Sequence, residues 1–262
     1  MKTIHSIYYH NPDSVGFEKM VKYHILHGYR FVSISELRDI LKQKTTLNEK
    51  LAFISFDDGW RGNMNLLPII ERYNVPICIF VSTEPLKSGN FWWEYVGKIS
   101  DCVCGGGVSR YKSMNYSDFC NGLSAIRAKV KLNRSALTED EVGRLAVHPL
   151  VTIQSHTVTH PILTNCPDDV LEKELSNSKS KVEILTSQPV FAFSYPNGAL
   201  SEREIDAVKR HYSMAFTTEQ KNITLSDDIY ALPRYALTGQ YYRDLLKLWG
   251  IWKYLKKLVK FR

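Results

Sequence analysis

Leu51-Ala52-Phe53-Ile54-Ser55-Phe56-Asp57-Asp58-Gly59 is the stretch on which the reading of this chain turns. A short, aromatic-rich apolar run that ends on a polar Asp-Asp-Gly reads as a buried strand meeting a turn. In α/β folds chemistry sits where strands end at their carboxyl side, so the two acids are candidate site residues. Side chains along a strand alternate between faces, but a turn at Gly59 would let both carboxylates face one site. The competing reading makes Asp57 or Asp58 an N-cap for a helix beginning at Trp60.

Outward from this stretch, strand and helix patterns alternate. Toward the N-terminus lie a helix over 14–28, a strand over 29–32 and a helix over 34–42. Downstream come a helix over 63–73, a strand over 76–81 and a helix opened by the capping-box spacing Thr138-Glu139-Asp140-Glu141. A strand over 150–153, a helix over 168–186, a strand over 190–194, a helix over 201–211 and a strand over 214–217 follow. Residues 84–137 interrupt the rhythm with only weak helical pattern and read as an insertion on the substrate side of a barrel. Within it, Trp92 and Trp93 either stack on a sugar or lipid or pack against the barrel. With 262 residues and 44% hydrophobic content, the chain can fill one barrel-sized core.

The second cluster is Ser155-His156-Thr157-Val158-Thr159-His160-Pro161. Spacing of four would put both histidines on one helical face. However, Val158 and Thr159 are β-branched and Pro161 disfavours helix at the residue before it, so a strand end or loop is expected. One carboxylate and two imidazoles can hold a divalent cation and leave positions open for water and substrate. The spare carboxylate can then take a proton from that water.

These motifs resemble those of the polysaccharide deacetylase (NodB-homology) carbohydrate esterase family. Ser55-Phe56-Asp57-Asp58-Gly59 is similar to its aspartate motif and 155–161 to its histidine motif. Phe193-Ser194-Tyr195-Pro196-Asn197-Gly198 resembles its substrate-groove motif. The likeness runs from about Ile4 to Tyr242. It implies an α/β fold, a distorted (β/α)7-type barrel over 1–240, and metal-dependent removal of an acetyl group from an amino sugar. By position it implies Asp58, His156 and His160 as metal ligands and Asp57 as general base. Tyr195 would supply the backbone N–H for the developing oxyanion, with Pro196 beside it in the substrate groove. Zinc is the expected ion, though nickel, cobalt or iron fits the same ligands.

The sequence departs from the commoner family pattern in two places. The late strand over 232–239 has no histidine to protonate the leaving amine. Ile7-Tyr8-Tyr9-His10-Asn11 resembles the N-terminal strand of a circularly permuted branch, which implies His10 as general acid. His10 could instead simply bond to the turn at Asn11-Pro12. The groove motif also lacks the arginine that elsewhere pairs with the base, so Arg234 is expected at the substrate and oxyanion side of the site, beside the aspartate.

The tail over 241–262 carries seven basic residues against Asp244 alone, a net +6 of the chain's +7. At helical spacing Leu245, Leu248, Trp249, Ile251, Trp252, Leu255, Leu258 and Val259 share one face. Lys247, Lys253, Lys257 and Lys260 fall on the other. That is the pattern of a helix lying on an anionic membrane surface, with docking on the barrel as the rival. Charge is not spread over the folded body, which argues against nucleic acid. The N-terminus has no signal-peptide pattern and no stretch reaches the roughly 20 apolar residues of a spanning helix. The expectation is therefore a cytoplasmic enzyme, peripheral on the inner membrane face, acting on an N-acetylated glycan or lipid-linked saccharide. Five cysteines are read as reduced thiols. Two rival functions share the motifs: an O-acetyl esterase on a glycan, and a catalytically inactive carbohydrate-binding barrel.

Overall fold

In the computed structural model, which describes residues 3–43, 47–100 and 107–251, strands and helices alternate along the chain. Strand β1 (Ile4–Tyr9) leads through α1 (Ser14–Leu26) to β2 (Tyr29–Phe31), α2 (Ile34–Gln43) and β3 (Lys50–Phe56). Then come α3 (Leu67–Tyr73), β4 (Ile77–Val81), α4 (Thr83–Ser88), α5 (Trp92–Ser100), α6 (Gly107–Ser113), α7 (Tyr116–Arg127) and α8 (Glu139–Ala146). The chain continues with β5 (Val151–Ser155), α9 (Asp168–Thr186), β6 (Ala192–Ser194), α10 (Glu202–His211), β7 (Met214–Phe216), β8 (Tyr235–Ala236) and α11 (Tyr241–Leu248).

The strands pair in parallel in the order β7-β6-β5-β4-β3-β1-β8, with β2 alongside the first residues of β3. One segment joins the two ends of this sheet. The Leu232 N–H donates to Ala215 O at 2.9 Å on β7, and two residues beyond Pro233 the chain enters β8 beside β1. Pro233 has no N–H to offer a ladder, which is why the strand expected over 232–239 is regular only at Tyr235–Ala236. The outcome is a curled, distorted (β/α) barrel. Phe216 of β7 lies 5.3 Å from Phe53 of β3 and 5.4 Å from Phe80 of β4, contacts between non-neighbouring strands that cross the interior. Ile54 and Phe56 face the other way, packing with Phe17 and Met20 of α1. Strands covered on both sides read as continuous apolar runs.

Two expected elements take a different form. Instead of a helix over 63–73, a 3-10 turn (Arg61–Leu66) precedes α3, because Pro68 can occupy only the first turn of a helix. The insertion is more helical than its sequence pattern suggests. Its helices are too short for a clear period, and Trp92, Tyr95, Val96, Phe119 and Leu123 form a small core of their own.

The described part of the tail is docked. Asp244 accepts from the N–H groups of Thr238 (3.0 Å) and Gly239 (2.8 Å), and Trp249 Nε1 donates to Tyr23 OH of α1 at 3.0 Å. Lys247, placed by helical spacing on the solvated face, is buried with Nζ on Ala236 O. The anchor residues from Trp252 onward, and the Cys102-x-Cys104 pair, lie outside the described residues. Among the described residues no helix is long and apolar enough to cross a membrane.

Candidate metal centre and active site

All strands run the same way, so their carboxyl ends share one rim, and the candidate residues gather there. The Asp57 N–H donates to Tyr9 O at 2.9 Å, extending the β1–β3 ladder by one residue. The chain then turns through left-handed backbone at Asp58 (φ 77°) and Gly59 (φ 91°). A Cβ at Gly59 would approach Val81 Cγ1 to 3.1 Å in that strained conformation. The turn brings both carboxylates into one buried site. Neither caps a helix, and Trp60 Nε1 donates to Asp58 Oδ2 at 2.9 Å instead.

The histidines stand on a loop that leaves β5. Thr157 (φ 71°) and His160 (φ 55°) are left-handed, and for β-branched Thr157 this is an unfavourable state, costing of order 1–3 kcal/mol. Of six non-glycine residues with positive φ among those described, Asp58, Thr157, His160 and Asn197 are at this site, so the strain is concentrated there. The loop is held from two sides. Ser82 Oγ donates to His156 O (2.8 Å) and the Glu84 N–H to Val158 O (2.8 Å). From α9 the buried Glu174 accepts from Val158 N (2.7 Å), Thr159 N (2.9 Å) and Thr159 Oγ1 (2.7 Å). Glu174→Gln, which turns an amide N–H₂ toward one of those donors, is expected to weaken divalent-metal binding about 10–100-fold. Zn²⁺ titration of chelator-stripped protein checks this; unaltered affinity would mean the loop needs no such support.

Asp58 Oδ1 lies 3.5 Å from His156 Nε2 and 3.4 Å from His160 Nε2. One donor atom from each of the three residues falls within 4.8 Å of the other two. His156 Nδ1 donates to Ser194 O at 2.6 Å, which fixes the tautomer and leaves Nε2 to the centre. Asp58 Oδ1 is buried without any hydrogen-bond partner. A fully buried carboxylate oxygen left orphaned between two imidazoles is costly unless a cation completes the set, so these residues fit a divalent metal. Burial pushes Asp58 upward, but His10, His156 and His160 outweigh it and hold its carboxyl well below the usual range. Burial and the neighbouring His156 push His160 down to about 3, leaving it neutral with a lone pair to offer.

Asp57 has a different partner. Arg234 grips it with both nitrogens, Nη1 to Oδ1 and Nη2 to Oδ2 at 2.8 Å each. The guanidinium also reaches Ser55 Oγ (2.9 Å), Ser194 Oγ (2.7 Å) and Thr217 O (3.2 Å), and its centre lies 4.3 Å from the Tyr8 ring. Burial alone would raise Asp57, but Arg234, with His156 and His10 adding to it, brings it below the ordinary carboxylate value. The acid is thus held ionised and fixed in orientation.

Above these groups opens a pocket of about 500 Å³. His10 stands on its wall, 51% exposed, with Nε2 3.9 Å from Asp58 Oδ2. Trp60, Tyr8, Asn197, Thr218 and Gln220 line the barrel side, and Trp93, Val108 and Lys112 come from the insertion. The two tryptophans divide: Trp93 borders the pocket with its ring 4.7 Å from His160, while buried Trp92 donates to His160 O at 2.9 Å and packs on Phe119.

Residues 44–215, well over half of the chain, match the family described as Polysaccharide deacetylase. The chain belongs to the polysaccharide deacetylase family. It is 24% identical over 220 residues to the protein YxkH of Bacillus subtilis (strain 168), spanning 83% of this chain but only 62% of that relative's length. It is 20% identical to the poly-beta-1,6-N-acetyl-D-glucosamine N-deacetylase of Staphylococcus epidermidis (strain RP62A), over 89% of this chain and 70% of that one. The fold resembles that of the Streptococcus pyogenes deacetylase PplD, with a TM-score of 0.64 at 17% identity over 94% of this chain and 96% of that one.

For this deacetylase-family chain, three expectations about the groove need correction. The Tyr195 N–H is already engaged with Phe216 O at 3.0 Å and its hydroxyl with Tyr230 O at 3.1 Å, so Tyr195 is not free to meet an oxyanion. Tyr195 and Pro196 are both buried and neither lines the pocket. The next residue, Asn197, borders it, with φ 57° and Oδ1 accepting from Lys112 Nζ at 2.7 Å. The signal was available, since Asn-Gly is turn chemistry that tolerates left-handed backbone. Arg234 stands beside the aspartate as expected, holding Asp57 through both nitrogens, but it is buried and does not line the pocket, so it is not on the substrate side. Nothing in the sequence pattern marked Lys112, Thr218 or Gln220.

Proposed function

We propose that this chain is a divalent-metal-dependent deacetylase that hydrolyses the N-acetyl group of an amino sugar within a glycan. The observation that carries the reading is an arginine-held, ionised Asp57 beside the buried Asp58–His156–His160 set on a pocket floor. When bound there, zinc or a similar ion would polarise the amide carbonyl and lower the pKa of water from about 15.7 toward 7. Asp57, at the pocket floor, is placed to take a proton from a water there as the water's oxygen adds to the carbonyl carbon. His10, at the pocket wall and open to solvent, returns a proton to the departing amine. The likeness to an enzyme named for poly-beta-1,6-N-acetyl-D-glucosamine supports an amino-sugar substrate.

Acetate release from N-acetylglucosamine oligomers, abolished by a chelator and restored by Zn²⁺ or Co²⁺, tests the proposal. Release from O-acetylated but not N-acetylated glycans would move the chain to the esterases. His10→Ala is expected to lower kcat on the amide about 10²–10⁴-fold with metal content unchanged. An alcohol leaves without strong acid help, so the loss on an acetyl ester should be far smaller. Equal turnover by wild type and variant on the amide would remove His10 from the mechanism.

A further inference from the structure

The two histidines of the centre are held in different ways. His156 has the usual support of a metal-binding imidazole, a hydrogen bond from its far nitrogen, here to Ser194 O at 2.6 Å. His160 Nδ1 is buried and has no hydrogen-bond partner among the described residues. The backbone of His160 is fixed, since its N–H donates to Thr157 Oγ1 (3.0 Å) and its carbonyl oxygen accepts from Trp92 Nε1 (2.9 Å). Neither bond sets the angle of the ring.

What bears on that ring is aromatic. Trp93 of α5 meets it edge to face, with centroids 4.7 Å apart and planes at 65°. Trp93 is stacked in turn on Phe91 (4.9 Å, 7°), and Phe91 lies 4.5 Å from Trp60, whose Nε1 donates to Asp58 Oδ2 at 2.9 Å. Two of the three candidate ligands, Asp58 and His160, are thus the ends of one train of rings, and its middle members come from the insertion. The start of α5 is pinned: the Phe91 N–H donates to Glu94 Oε2 at 2.9 Å, and Asn90 Nδ2 donates to Asn133 O at 2.6 Å. An edge-to-face aromatic pair carries an attraction beyond the burial of its area, which an aliphatic side chain in the same place does not supply.

We propose that Trp93 is a positioning residue for the metal centre, its indole setting the orientation of His160 where a hydrogen bond sets that of His156. The insertion is then part of the metal site as well as a wall of the pocket. The inference rests on the metal-dependent deacetylase reading, but it concerns how the ion is held and not what is released.

The test is Co²⁺ titration of the chelator-stripped full chain, followed by the visible absorption of the bound ion, which reports the geometry of its ligands. Trp93→Leu is expected to weaken Co²⁺ binding about tenfold and to shift the bands. Trp93→Phe, which keeps an aromatic face, should recover both to within about twofold of wild type. Both variants leave an apolar side chain at this half-buried position, so packing alone would not tell them apart. Trp93→Gln takes the place of the leucine variant if that one fails to fold, with the same loss expected. Wild-type affinity and bands in the leucine variant, or a phenylalanine variant as weak as the leucine one, overturns the proposal. Acetate release separates the two readings. Co²⁺ binding that depends on the residue at 93, in a protein that deacetylates no glycan, upholds the positioning role and removes the deacetylase. Metal-dependent acetate release with Co²⁺ binding indifferent to that residue does the reverse, and a wild type that binds no Co²⁺ overturns both.

Discussion

Arg234→Met is expected to cost about 3–5 kcal/mol of stability, because it leaves the buried Asp57 carboxylate without its counter-charge. Methionine fills much of the space but offers none of the five donors that now serve Asp57, Ser55, Ser194 and Thr217. The pH dependence has a definite sign. In wild type the folded Asp57 titrates below its unfolded value, so the pair contributes fully above the unfolded carboxylate range and is lost as pH falls through the folded value. Without Arg234, burial dominates and the folded acid titrates above its unfolded value. The variant is then penalised increasingly as pH rises past the unfolded carboxylate pKa of about 3.9. Urea denaturation of chelator-treated proteins should give a gap between wild type and variant that is large at neutral pH and narrows toward acid. A gap of less than about 1 kcal/mol at neutral pH would place the pair among ordinary surface salt bridges.

The second large effect is on turnover. Asp57→Asn keeps the shape of the side chain and a carbonyl oxygen for Arg234, but cannot accept a proton from water. It is expected to reduce kcat about 10²–10⁴-fold while metal content, read by elemental analysis, stays at the wild-type level. Retained metal with lost acetate release separates the base from the ligand Asp58. Comparable turnover by the asparagine variant would leave Asp57 as no more than Arg234's structural partner.

The parts that were legible in the sequence share a local cause. The run ending in Asp57-Asp58-Gly59 carries its own strand, acids and turn residue, and the histidine loop carries β-branched residues and a proline that exclude helix. Arg234 could be suspected because the groove motif lacks an arginine, but its burial and its separation from the pocket depend on where the 232–236 segment crosses between β7 and β1. Ladder hydrogen bonds are equally hidden: only the pairing of β6 with β7 reveals that the Tyr195 N–H is engaged and that Asn197 borders the pocket. Trp92 and Trp93 differ for the same kind of reason. Adjacent residues on one short helix point apart, and only the position of α5 over His160 decides which indole is buried. The long-range ties of Glu174 to the histidine loop have no sequence signature at all.

The most direct measurement is the metal stoichiometry and affinity of chelator-stripped protein titrated with Zn²⁺, for wild type and for Asp58→Asn, His156→Ala and His160→Ala. The account predicts one tightly bound ion per chain in wild type and loss of tight binding in each variant, all of them still folded. Tight stoichiometric binding that persists when His156 or His160 is removed, or no binding by the wild type, would contradict it.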